Sequence, residues 1–310
     1  MIDQILAWAN MEMAWEEVRA NRGAPGIDGV TLARWERNRA ANIERLCVQV
    51  RTNTYHPNRP KRFTVMKKGG GTRELARLTV TDKVLQRAVL NVAGPAFEAR
   101  FLPCSHGFRQ NRSVATAVQQ VLNYRDHGLR WVLDADIAAC FDHLDHELLL
   151  GLARRVVDDW HILNLLALWL KAGSVKQIPN LKSQIPNQKT VGVPMGAVIS
   201  PLLCNVLLHQ LDARLTTAGW RLVRYADDFV ILTESEEAAM RALKATETTL
   251  NALRLQLSAR KTRVVSFDEG FTFLGVTFYR DRYTYEWQQK RIEIEGRNVR
   301  WLYRHAPAFY

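Results

Sequence analysis

Arg221-Leu-Val-Arg-Tyr-Ala-Asp-Asp-Phe-Val-Ile-Leu232 decides how the rest of the chain is read. Leu222–Tyr225 and Phe229–Leu232 are short runs rich in β-branched and aromatic residues, the pattern of two strands. Between them Ala226, Asp227 and Asp228 form the tip of a tight hairpin carrying two adjacent carboxylates. Unpaired charge flanked by apolar strands is costly, and divalent cations would offset it. Hard carboxylate oxygens suit Mg²⁺ or Mn²⁺. The plain alternative is an Asp-Asp turn, because aspartate is a good turn residue.

A third carboxylate favours the metal reading. Trp131–Ile137 alternates, with Trp131, Leu133, Ala135 and Ile137 on one face and Val132, Asp134 and Asp136 on the other. A strand ending at Asp136 beside the hairpin gathers Asp136, Asp227 and Asp228. That set suits two-metal nucleotidyl transfer, with ions ~4 Å apart.

These residues lie in a longer ordered series: WVLDADIAACFDHLDH, VGVPMGAVISPLLCNVLLHQLD, RYADDFVIL, LSARKT and FTFLGVTF. The series resembles the palm motifs of reverse transcriptases. Upstream, AWEEVRANRGAPGIDGVTLARW and FEARFLPCSHGFRQNRS resemble the group II intron maturase lineage, which includes the CRISPR-associated reverse transcriptases. The resemblance runs from about Ala14 to Tyr279. It implies an α+β right-hand polymerase fold, with an antiparallel palm sheet packed on helices and a minimal or absent thumb. The implied division is an N-terminal extension and fingers over 1–130, palm over 131–285 with a fingers insertion at about 150–190, and a basic tail or start of a thumb over 286–310.

Composition agrees with a nucleic-acid partner. The formal charge is +12 over 310 residues, a surplus suited to a polyanion, although a merely basic protein would show it too. Cys47, Cys104, Cys140 and Cys204 form no CxxC pair, which argues against structural zinc and for a reducing compartment. The start MIDQILAW lacks a signal-peptide pattern, and the longest apolar run, Ile162–Leu170, falls far short of a membrane span. The expected location is the cytoplasm, with no membrane partner.

The remaining candidate residues come largely from the resemblance. Residues 51–73 hold seven Lys or Arg and no acid. Lys67-Lys68-Gly69-Gly70-Gly71-Thr72-Arg73 reads as a hairpin with a glycine-rich tip, and such a tip lets backbone and cations approach phosphates. By resemblance to the polymerase fingers, Lys67, Lys68 and Arg73 grip the incoming triphosphate, while Arg59, Lys61, Arg62, Arg112 and Tyr225 face nucleic acid. Arg109 is placed at template or nucleotide, Phe141 at the position that excludes a ribose 2′-hydroxyl, and Met195-Gly196 in the nucleotide pocket. Ile137 joins Asp136, Asp227 and Asp228 at the metals, and Lys261 is the acid that protonates departing pyrophosphate. Each has an ordinary counterpart: a solvated basic loop, a surface cation, a core phenylalanine. His143 and His146, three apart, lack further zinc ligands nearby. Met195 departs from the family, which usually carries glutamine there and so has an amide where this chain has a thioether.

Local signals place the helices. Asp3 caps a first helix ended by Gly23, Thr81–Leu102 is helical, Ser113 caps a helix to about Asp126, and Ser200-Pro201 opens another. Ser235 opens one to about Leu255. The functional expectation is an RNA-directed DNA polymerase that uses two Mg²⁺ ions (or Mn²⁺), an RNA template, a DNA or RNA primer and dNTPs. CRISPR spacer acquisition beside an integrase complex is the preferred setting. The alternatives are a template-independent or self-primed polymerase in phage defence, and a catalytically silent RNA-binding scaffold.

Overall fold

A computed structural model describes residues 1–66, 71–174, 190–287, 290–296 and 298–305. The chain is α+β, with helices and antiparallel sheets, and divides into two compact units: residues 1–100 with 141–206, and residues 101–140 with 207–310.

The first unit is mainly helical. Where the sequence suggests one helix from Asp3 to Gly23, there are two, Ile2–Ile5 and Trp8–Ala20. The cause is local: Ala7 is extended (φ −60°, ψ 136°) and breaks the ladder. Asn10 then donates to the carbonyls of Ile5 and Ala88 at 2.8 and 3.0 Å, satisfying an oxygen the break exposes. Trp8–Ala20 packs on the long helix Val80–Glu98, which starts one residue before the expected Thr81 because Thr79 caps it, its hydroxyl accepting from Asp82 N at 3.0 Å. Strands β1 (Lys61–Met66) and β2 (Thr72–Arg77) pair with Met66 opposite Thr72, forming the predicted basic hairpin. Its tip residues 67–70 lie outside the described residues, as do 175–189 within the expected fingers insertion. Ser200 differs from its expected capping role, since its hydroxyl donates to the Pro194 carbonyl at 2.8 Å.

The second unit holds the sheet that the opening stretch foretells. Strands β3 (Trp131–Asp136), β4 (Arg221–Tyr225), β5 (Asp228–Thr233) and β6 (Arg263–Ser266) lie in the order β4-β5-β3-β6, all neighbours antiparallel. Helix Val114–Asp126, closed at its N-terminus by a Ser113–Thr116 capping box, lies along β4 and β5. Helix Glu236–Ala252, capped by Ser235, lies along β3, β5 and β6. Each face of the sheet therefore has a helical cover. Val132, Val223, Val230 and Leu232 share one core with Val118 and Val121 of the first helix. The meander β7 (Phe271–Phe273), β8 (Val276–Tyr279), β9 (Arg282–Trp287) and β10 (Lys290–Glu295) joins that core through Phe271, Phe273 and Phe278.

Candidate active site

The site grows out of strand register. Tyr225 pairs with Asp228, so the hairpin loop is only two residues, Ala226 and Asp227. On the other side of β5, Asp228 pairs with Asp136. Residues opposite each other across a ladder point to the same face, so Asp136 and Asp228 stand side by side there and Asp227 sits at the adjoining loop. Two backbone bonds tie the junction together: Ile137 N donates to the Asp227 carbonyl at 3.3 Å, and Ser258 N to that of Asp136 at 2.8 Å.

Charge is heavily unbalanced at this point. Burial first, then the charges of Asp134, Asp136 and Asp227, push the Asp228 carboxyl up to about 7, against a smaller opposing pull from Lys261. Lys261 Nζ lies 2.9 Å from Asp136 Oδ1. Asp134, on the same face, is paired with Arg263 at 3.1 Å, and burial raises its carboxyl nonetheless. A cluster of hard oxygen donors that repel one another is a setting that divalent cations relieve. Among the described residues no three His, Cys, Asp or Glu side chains close into a ready cage.

The other expected residues divide by setting. Arg59, Lys61 and Arg73 are exposed on or beside the basic hairpin, whereas Arg62 is engaged by Glu74 at 2.7 Å and by the Gly173 carbonyl at 3.3 Å. Lys67 and Lys68 lie outside the described residues. Arg112 reaches the Pro103 carbonyl at 3.4 Å. Phe141 is buried, and its carbonyl accepts from Val193 N at 2.7 Å. Met195 is half-buried and Gly196 exposed, with φ +102°; the Met195 carbonyl accepts from Ala76 N, fixing this loop against β2. His146 is buried, and its Nε2 donates to the Gly192 carbonyl at 2.8 Å.

Two expected contacts take a different form. Arg109 is buried, and its guanidinium donates to the carbonyls of Leu102 and Ser105 at 2.6 and 2.9 Å while lying over the Phe101 ring. It staples its own loop, because a buried guanidinium needs acceptors and the loop's carbonyls provide them. The ring of Tyr225 is likewise buried in the core under the helix Val114–Asp126, since strand alternation turns it inward beside Val223. Sequence reasoning also missed Arg224 and Asp212, a fully buried pair whose Nη2–Oδ2 distance is 2.6 Å. The available signal was Asp212 standing between Leu211 and Leu215 near Leu207 and Leu208 in the helix Ser200–Thr217, a charge on an apolar stripe that needs a partner.

The family model for reverse transcriptase (RNA-dependent DNA polymerase) matches residues 65–278, which include all three aspartates and Lys261. The chain belongs to the reverse transcriptase family. Protein YkfC of Escherichia coli K12 is 30% identical to this reverse transcriptase, the match covering 86% of this chain and 79% of that one. Group II intron-encoded protein LtrA of Lactococcus lactis subsp. cremoris is 32% identical over 64% of this chain, but only 32% of its own length is covered. These likenesses place it in the group II intron-like lineage. In fold, this reverse transcriptase resembles apo telomerase from Candida tropicalis, with a TM-score of 0.53 and 14% identity over 73% of this chain and 48% of that one. Among the described residues no helix is long and apolar enough to cross a membrane.

Proposed function

We propose that the chain extends a primer 3′-hydroxyl with dNTPs on an RNA template, and that Asp136, Asp227 and Asp228 hold the divalent cations of the reaction. The observation that carries this reading is the register that sets Asp136 opposite Asp228 next to the Asp227 loop. Bound Mg²⁺ or Mn²⁺ would supply charge neutralisation and polarise the attacking hydroxyl. The chain's own groups do the rest. The carboxylates fix where positive charge collects, and the rigid sheet keeps them aligned for in-line displacement. Lys261 Nζ gives a proton to the departing pyrophosphate. Arg59, Lys61, Arg73 and the neighbouring lysines attract phosphates. Extension reactions lacking primer or template test the reading against untemplated synthesis: product is expected only when both are present.

Phe141 is proposed as the group that excludes the 2′-hydroxyl. Phe141→Ala should admit ribonucleotides, raising the rNTP-to-dNTP incorporation ratio by about tenfold or more, because loss of one ring's bulk changes fit by ~1–3 kcal/mol. A folded variant with an unchanged ratio assigns sugar choice to another residue.

Met195 packs as an apolar side chain and offers only a weak sulfur acceptor. Met195→Gln is expected to restore one neutral hydrogen bond, worth on the order of 1 kcal/mol, and so to lower the dNTP KM by no more than about tenfold. Steady-state kinetics on poly(rA)/oligo(dT) measure this. A parent without templated activity, rescued by this one change, would show that the site serves a different substrate.

The cytoplasm is the proposed location. Service to a CRISPR integrase is the proposed pathway and rests on the sequence resemblance alone; co-purification of a Cas1-type integrase from the native host checks it, with a phage-defence role as the rival.

A further inference from the structure

The loop that carries Asp227 has an unusual first residue. Ala226 sits at φ +57°, where a residue with a Cβ stays only if its surroundings enforce it. Two independent contacts do so. Arg224 Nη1 donates to the Ala226 carbonyl at 2.9 Å. The rest of that guanidinium is locked on the sheet face opposite the carboxylates: Nε and Nη2 each reach Asp212 at 2.6 Å, and Nη2 also reaches Ser105 Oγ at 2.8 Å. On the other side of β4, residues 104–107 run alongside the strand, with Arg224 N bonded to the Cys104 carbonyl and His106 N to that of Arg224, both at 2.8 Å. A Cβ on Gly107 would stand 2.4 Å from Ala226 N, so the glycine lies flush against the loop.

A buried arginine–carboxylate pair is weak evidence of stabilisation, because desolvation offsets most of the attraction. What this pair does have is a direct bond to a strained peptide next to Asp227. We propose that Arg224, oriented by Asp212, is a positioning residue that fixes the Ala226–Asp227 peptide and thereby the aim of Asp227 and Asp228. This inference rests on the polymerase reading of the three aspartates. Arg224 touches neither nucleotide nor metal under it; it acts through the loop.

The test uses Arg224→Met combined with Asp212→Leu, and separately Gly107→Ala. The double change leaves no charge buried alone, so the fold is retained, but it removes the donor to Ala226. Gly107→Ala keeps the ion pair and displaces the loop from its other side. Thermal midpoint, affinity for an RNA/DNA primer–template duplex, dNTP kinetics and Mn²⁺ binding by electron paramagnetic resonance are compared with the parent. The double variant should keep the parent's midpoint and both should keep its duplex affinity, while Gly107→Ala, whose Cβ meets backbone, should fold with a lowered midpoint. Their kcat should fall by about a hundredfold, as misplacement near 1 Å can cause, with dNTP KM little changed. Mn²⁺ affinity should weaken by about tenfold, the usual effect of losing support behind a ligand. A folded double variant with parental kcat and Mn²⁺ affinity overturns the proposal. If the double variant does not fold, Gly107→Ala decides by the same two readouts. If the parent itself makes no DNA, the polymerase reading fails separately, and Mn²⁺ affinity alone decides: a parental value in the variants then overturns the positioning role.

Discussion

Asp227→Asn is expected to abolish primer extension, by about a thousandfold or more, while leaving the affinity for a primer–template duplex nearly unchanged. The substitution keeps the shape of the side chain and removes one negative charge where the reacting phosphate and its cations must be held. Under the proposed function duplex affinity resides elsewhere, in phosphate contacts from basic residues, so binding and chemistry should separate cleanly. Asp136→Asn should behave alike. Combining the two should cost little more than either alone, because groups that act as a unit are not additive. Single-turnover extension and a filter-binding assay at fixed salt measure the two quantities. Near-parental extension by either single variant contradicts the assignment.

Lys261→Ala should lower kcat by about a hundredfold or more, the range for loss of a general acid, with little effect on the thermal midpoint. The second expectation follows from exposure. Lys261 Nζ pairs with Asp136 at 2.9 Å, but its own side chain is 50% exposed, and exposed ion pairs contribute little to stability. If the lysine is only a surface partner of Asp136, the variant keeps both kcat and midpoint, and another group must protonate the pyrophosphate.

What the sequence revealed about this site follows a physical pattern. The β3 strand and the hairpin were legible because alternation and β-branched runs report directly on strands. The gathering of Asp136 with Asp227 and Asp228 was legible too, but the tip read as three residues is two, Asp228 being the first residue of β5, and its pairing with Asp136 is a register between strands distant in sequence that no local signal sets. Ser113 and Ser235 were legible as caps because an N-cap is a local interaction, made within three residues. The break at Ala7 was not, since alanine is the best helix former and gives no local sign of extension.

Long-range burial was the main source of error. Arg109 and Arg224 look alike in sequence, as single cations beside apolar neighbours, and such residues are usually at the surface. Their acceptors lie at the Leu102 and Ser105 carbonyls in one case and on Asp212, from a separate helix, in the other. No periodicity predicts the second. Asp134 is an intermediate case. Its face was read correctly from alternation, but its pairing with Arg263 required knowing that β6 lies beside β3. Strand order is a tertiary fact that hydrophobic pattern does not encode.

The cluster of Asp136, Asp227 and Asp228 is proposed to copy RNA into DNA. The most direct measurement supplies the purified protein with an RNA template of mixed sequence, an annealed primer, all four dNTPs and Mg²⁺, and then sequences the product. The expected product is DNA joined to the primer 3′ end and complementary to the template, lost on chelation with EDTA and lost in Asp227→Asn. Product whose sequence is independent of the template, or synthesis undiminished in Asp227→Asn, would contradict it.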